Sequence, residues 1–319
     1  MTKHADKVFL FAALLVALLL VRPSADISPP AAPENEETAI LAANLVQPAR
    51  SGGGDSAAAS PQRTVYRRTT NAPPPAVAAT LAGVADLATE EFYFAQEPDR
   101  RWPMASISKL FSAAYVLEHG NPTAEIALQN RDFERLGGDA NASMGEGQVF
   151  TVHDLIQAML LFSSNESAEA LANSFGREKF VAGLNDLAET WGLTATHLAD
   201  PTGLSSGNQS TVRDLVRLAR KINSQYPEIF AVSRQKESIL RELSAQADMP
   251  VGNINIFAGE PTYVGGKTGY TLEAGGNLLS VFLHSGRPIA IVVLGSADRF
   301  GDTAALNRWF ADNFTLANY

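Results

Sequence analysis

Three strand-length apolar stretches follow one another almost without pause late in this sequence: Thr262–Tyr270, Gly276–His284 and Pro288–Gly295. The last two are joined by a Ser285-Gly286 turn. Links this short allow only antiparallel pairing, because a parallel neighbour needs a crossover of about a dozen residues or more. Two further strands read upstream, Val77–Leu87 and Glu91–Ala95, the second alternating through Phe92 and Phe94. The chain is thereby committed to an antiparallel sheet of about five strands.

Helical signals fill the space between the two groups of strands. Ala105–His119 carries apolar residues at Ile107, Leu110, Phe111, Ala114 and Val116 and stops at Gly120. Thr151-Val152-His153-Asp154 and Thr211-Val212-Arg213-Asp214 each read as a capped helix start. The first opens a helix through Phe162 and the second one to about Asn223, with helices 166–175 and 177–191 between them. A last helix follows Asp302, with Leu306, Trp309, Phe310 and Phe314 on one face. Strands, a helical block, strands and a closing helix define an α+β class: an antiparallel sheet flanked by helices, with an all-helical subregion.

The 319 residues contain no cysteine, which excludes disulfides, thiol catalysis and a lipid-modified N-terminal cysteine. A formal net charge of -9 argues against a nucleic-acid partner. Lys3 and Lys7 precede an unbroken apolar run from Val8 to Val21, closed by Arg22 and Pro23. That is an export signal or an N-terminal membrane anchor over residues 1–23, placing the remainder outside the cytoplasm, in the periplasm or cell-wall space. The weak cleavage flank Pro23-Ser24-Ala25 tilts the reading toward an uncleaved transmembrane anchor. Residues 24–75, rich in Ala, Pro, Ser and Gly, read as a disordered linker, and 76–319 as the catalytic domain.

Three short stretches carry candidate chemistry: Ser106-Ile107-Ser108-Lys109, Ser163-Ser164-Asn165 and Lys267-Thr268-Gly269. Ser106 and Lys109 sit three apart at a helix start, so both side chains share one face. The Ser106 amide falls among the donors a helix start leaves unpaired, where an oxyanion can be received. Two look-alikes occur. Ser233–Lys236 repeats the Ser-x-x-Lys spacing, but no Ser-x-Asn separates it from Lys267; Ser206-Gly207-Asn208 lies in a polar loop and reads as turn chemistry. No metal-ligand spacing appears, none of the five histidines has triad context, and no cofactor is implied.

The ordered set resembles the penicillin-recognising serine enzymes. Its finer detail is similar to the D-alanyl-D-alanine carboxypeptidase branch, the low-molecular-weight penicillin-binding proteins. Met104–Leu110 resembles that branch's Pro-Ala-Ser-x-x-Lys-Leu, and Ser163–Ala168 its Ser-x-Asn-Asp-Ala. Asp200-Pro201-Thr202-Gly203-Leu204 resembles its Asn-Pro-x-Gly-Leu loop, and Gly266–Thr271 with Glu273–Gly275 its Lys-Thr-Gly segment. The resemblance implies a serine β-lactamase/transpeptidase-like fold. It also implies a D,D-peptidase acting on peptidoglycan stem peptides through a Ser106 acyl-enzyme, and inhibited by β-lactams. It assigns Ser106 as nucleophile, Lys109 as general base, Ser163 as proton relay and Asn165 as a substrate-amide holder. Lys267 and Thr268 would bind the substrate carboxylate, Gly269 completing their segment, and the Ser106 and Tyr270 amides would form the oxyanion hole. Arg299 is a further candidate for carboxylate binding. Glu166 departs from the usual Asp and reads as helix-start electrostatics. The β-rich second domain and C-terminal amphipathic anchor of many relatives are not expected here.

Two alternatives stay open at this level. A β-lactamase would share the fold, although the Glu-x-x-Leu-Asn stretch of its class A relatives does not occur between Asn165 and Lys267. A non-catalytic wall-binding protein would show damage to one of the three motifs.

Overall fold

The computed structural model describes residues 64–136 and 144–318. β1 (Thr64–Arg68), β2 (Leu81–Asp86) and β3 (Phe92–Gln96) come first, followed by a 3-10 turn (Ala105–Ser108) that runs into α1 (Lys109–His119). The helical block comprises α2 (Val152–Leu161), α3 (Asn165–Ser174), α4 (Arg177–Thr190), α5 (Val212–Gln225) and α6 (Pro227–Ser233). A hairpin of β4 (Glu237–Glu242) and β5 (Ala247–Gly252) precedes β6 (Tyr263–Thr271), β7 (Gly275–His284) and β8 (Arg287–Ser296). α7 (Arg299–Asn313) and β9 (Phe314–Asn318) close the described chain.

The main sheet has five strands in the order β6-β7-β8-β2-β3, each pair antiparallel. This is the expected α+β architecture. Successive residues of a strand point to opposite faces, and here both faces are covered. Leu279, Val281, Ala290, Val292, Leu294, Leu81 and Ala85 join the core beneath the helical block. Their neighbours Leu278, Phe282, Ile289, Ile291, Val293, Ala82 and Val84 pack against Leu306 and Phe310 of α7. Burial on both sides is why these strands read as nearly unbroken apolar runs. The predicted caps form: the Thr151 and Thr211 hydroxyls each accept from the amide three residues on, at 3.1 Å.

The folded domain starts earlier than residue 76. Thr64–Arg68, assigned to the linker on composition, pairs in antiparallel register with β9, from Thr64 opposite Asn318 to Arg68 opposite Phe314. Tyr66 explains the inclusion: its ring meets Phe310 at 4.9 Å and Tyr93 at 5.9 Å, and its hydroxyl donates to the His284 carbonyl. The transmembrane expectation is also corrected: among the described residues no helix is long and apolar enough to cross a membrane. The apolar run from Val8 to Val21 and the linker up to residue 63 lie outside the described residues.

Candidate active site

The start of α1 is set by backbone geometry. Ala105 adopts a left-handed conformation (φ 48°), and the 3-10 turn it opens leaves Ser106 half-buried at the floor of a cleft. Ser108 turns inward and donates to the Ala105 carbonyl at 2.8 Å. Lys109, the first residue of α1, is fully buried, and its Nζ lies 2.9 Å from Ser106 Oγ, 2.7 Å from Asn165 Oδ1 and 2.6 Å from the Thr202 carbonyl oxygen. Two of these partners are pure acceptors; the third is a hydroxyl. A neutral amine has two hydrogens and one lone pair. Once it has lost its proton, an amine that donates to both acceptors would have its lone pair available to the Ser106 hydroxyl.

Asn165 reaches Lys109 because the α2–α3 connection is very tight. Ser163 is left-handed (φ 66°), and Ser164 caps α3 by accepting from the Ser167 amide at 3.0 Å. Ser164 Oγ also stands 2.8 Å from the buried Glu166 carboxylate. Strained backbone of this kind costs about 1–3 kcal/mol and persists only where the surroundings enforce it. Here the result is that Ser163 faces the cleft and Asn165 faces Lys109.

The third stretch lies on β6. Lys267 is buried, and its Nζ donates to Ser163 Oγ at 2.9 Å and to the Thr268 carbonyl at 3.0 Å. Ser106, Ser163, Asn165, Leu204, Ile254, Thr268, Gly269, Tyr270 and Arg299 line one cleft of about 230 Å³. The three stretches therefore converge on a single space. Arg299, the first residue of α7, donates to the Gly269 carbonyl at 2.9 Å and reaches the same cleft.

Burial governs the electrostatics. It draws the Lys109 amine down from 10.5 to about 7, against the opposing pull of Asp200, Glu166 and Glu169. Lys267 is held well below its ordinary value by burial first, then by the charges of Lys109 and Arg299. Glu169 is bound by Arg177 in a pair at 2.7 and 3.0 Å. A buried amine that loses its proton around pH 7, in contact with a serine hydroxyl, is an arrangement that can activate a serine.

One contributor to this geometry was quoted from the sequence without a role. Asp200 Oδ1 accepts from the Thr202 amide at 2.7 Å, the Thr202 hydroxyl at 2.8 Å and the Gly203 amide at 2.6 Å; Oδ2 accepts from the Ser205 amide at 2.6 Å. The loop it gathers delivers the Thr202 carbonyl to Lys109. Gly203, at φ +90°, lies so near the Ala105 carbonyl that a Cβ would stand 2.1 Å from it. The look-alikes fall elsewhere. Ser233 Oγ accepts from the Gly266 amide at 3.1 Å, behind β6, and Asn208 clamps Ser108 and the Asp200 carbonyl at 2.9 and 3.0 Å. Among the described residues no cluster of His, Asp and Glu could hold a metal ion.

Comparison with known proteins identifies the family and the fold. The sequence profile of the D-alanyl-D-alanine carboxypeptidase family matches residues 68–298. A D-alanyl-D-alanine endopeptidase of Pseudomonas aeruginosa is 30% identical, over 73% of this chain and 77% of the relative. One of Escherichia coli is 29% identical with the same coverage. A D-alanyl-D-alanine carboxypeptidase structure from Mycobacterium tuberculosis superposes with a TM-score of 0.68 at 24% identity, covering 77% of this chain and 95% of that one. The chain belongs to the D-alanyl-D-alanine carboxypeptidase family, and is a serine-type D-Ala-D-Ala peptidase acting on peptidoglycan.

Proposed function

We propose that this chain is a D,D-endopeptidase working outside the cytoplasm, with Ser106 as nucleophile and Lys109 as the base that activates it. The observation that carries the reading is the buried Lys109 Nζ in hydrogen-bond contact with Ser106 Oγ at 2.9 Å, with burial drawing the amine down to about 7. The endopeptidases among its relatives support cross-links as the substrate, and the export-type start from Lys3 to Val21 supports the location.

The chemistry follows from the side chains. Lys109 takes the Ser106 proton as Oγ attacks the D-alanyl carbonyl carbon, forming a C–O bond. The Ser106 and Tyr270 amides receive the oxyanion; one such donor is worth about 10²–10³ in rate. Lys267 and Thr268 hold the carboxylate next to the leaving amine, and Arg299 adds positive charge at that end. Ser163, hydrogen-bonded to Lys267, passes its proton to the amine as the C–N bond breaks and is reprotonated with the proton that Lys109 took from Ser106, which leaves Lys109 neutral again. Water then cleaves the Ser106 ester with Lys109 again as base, giving a free D-alanyl carboxylate and restoring the hydroxyl. Asn165 fixes Lys109 and holds the substrate amide.

The test incubates the full chain with labelled penicillin, a peptide ending in D-Ala-D-Ala, and a cross-linked stem-peptide dimer. The expected result is a long-lived adduct on Ser106 and cleavage of the dimer, both abolished in Ser106→Ala. Fast penicillin turnover without peptide cleavage would instead identify a β-lactamase.

A further inference from the structure

The segment that follows the β4–β5 hairpin holds two exposed isoleucines, the first of which lines the cleft. Ile254 is 45% exposed and Ile256 64%, while Asn255 between them is buried. A scattered exposed isoleucine needs no explanation. This pair differs, because a dense set of hydrogen bonds fixes the backbone that presents it. Asn253 Nδ2 donates to the Ser233 and Gln235 carbonyls, both at 2.8 Å, and its Oδ1 accepts from the Asn255 amide at 2.8 Å. Asn255 Nδ2 donates to the Tyr263 hydroxyl at 2.7 Å, and its Oδ1 accepts from the Phe257 amide at 3.1 Å. The Ile254 amide donates to the Leu161 carbonyl at 3.1 Å. Rigidly presented apolar surface next to a cleft marks a recognition surface.

Its position identifies what it meets. Leu161 stands two residues before Ser163, and Ile254 lines the cleft together with Ser163 and Thr268. In the reading given above, which this inference rests on, that is the end from which the leaving amine departs. A single D-alanine leaving group carries only a methyl group and ends inside the cleft. A leaving amine borne on the side chain of a second stem peptide continues outward through a chain of methylenes.

We propose that Ile254 and Ile256 form an apolar platform for the leaving-side stem peptide of a cross-linked substrate, so that the enzyme favours opening cross-links over trimming single peptide ends. The platform binds the methylene chain of the diamino acid whose amine is acylated by D-alanine, and touches none of the reacting atoms.

The experiment measures kcat/KM of the full chain for a cross-linked stem-peptide dimer and for a monomer ending in D-Ala-D-Ala, in the wild type, Ile254→Ser, Ile256→Ser and Ile256→Val. The dimer-to-monomer ratio is expected to fall about tenfold in each serine variant, through KM for the dimer, and to stay within about twofold in Ile256→Val. Penicillin acylation of Ile256→Ser, whose side chain lies outside the cleft lining, reports that the catalytic centre is intact. An unchanged ratio in both serine variants, or an equal loss on both substrates, overturns the platform. So does a wild type that cleaves monomers alone. A wild type that is not acylated and cleaves neither substrate overturns the Ser106 reading itself, a separate outcome.

Discussion

Gly269 of β6 packs against the nucleophile's own backbone: a Cβ at this position would stand 3.1 Å from the Ser106 amide nitrogen and 2.9 Å from the Met104 carbonyl oxygen. Neither neighbour is a flexible side chain that can yield. Gly269→Ala should therefore push β6 and the 3-10 turn apart and spoil the spacing of the two amides that would receive the oxyanion. Acylation by fluorescent penicillin should slow by about 10²-fold, while far-ultraviolet circular dichroism shows the sheet intact. A rate within about threefold of wild type would show that the close approach has no catalytic consequence.

The base must be neutral to accept a proton, and burial brings Lys109 down to about 7. Below that pH the amine is protonated and the rate should fall about tenfold per pH unit; above it the rate should level off. A pH series of acylation rates checks this directly. Lys109→Met, which keeps length without the amine, should lose about 10²–10⁴ in rate above pH 7, a deficit that shrinks at lower pH as the wild type loses its base to protonation.

Asp200→Asn keeps an oxygen for the Thr202 and Gly203 donors but removes the charge and one acceptor. Besides Asp200, the charged groups around the Lys109 amine are Glu166 and Glu169 of α3, the latter held by Arg177, and Lys267 of β6. With Asp200 uncharged, protonated Lys109 loses its largest stabilising partner, so its pKa falls further. The acid limb of the acylation profile should move to lower pH by about half a unit to one unit. Arg177→Gln releases the Glu169 charge and should move the limb the other way. Shifts of the same sign in both variants would disprove this account.

Tyr66 sits in the aromatic cluster of Tyr93, Phe310 and Phe314 and does not line the cleft of Ser106. Tyr66→Ala should lower the unfolding free energy by about 3 kcal/mol, as truncation of a buried aromatic does, while acylation per folded molecule is unaltered. Urea titration followed by penicillin labelling separates the two effects.

What the sequence made legible was what local chemistry determines. Thr151 and Thr211 announced their helices because a cap is satisfied within three residues. β7 and β8 were readable because burial on both faces leaves long apolar runs. β1 was not: its five residues are stabilised by β9, some 250 positions away, and by the contacts of one tyrosine, which composition does not reveal. Phe314 was expected on the last helix and instead begins β9, yet it still stacks on Phe310 at 5.0 Å. The β4–β5 hairpin and α6 were not anticipated. In the cleft, Ser106, Lys109, Ser163, Asn165 and Lys267 could be named from spacing and family likeness. The Thr202 carbonyl could not, since a backbone acceptor leaves no trace in residue identity. Ile254 gave no signal either, because its importance lies in the asparagines on either side that turn it outward.

The register that sets Thr64 opposite Asn318 brings the two ends of the described domain to one seam, which meets Tyr93 of β3 and the His284 carbonyl at the last residue of β7 through Tyr66. A short loop joining those ends would leave the backbone path continuous, so new termini cut into a surface turn should still give a folded, circularly permuted enzyme. The same seam offers an attachment point from which a label or a solid support leaves the catalytic mouth open to a polymer.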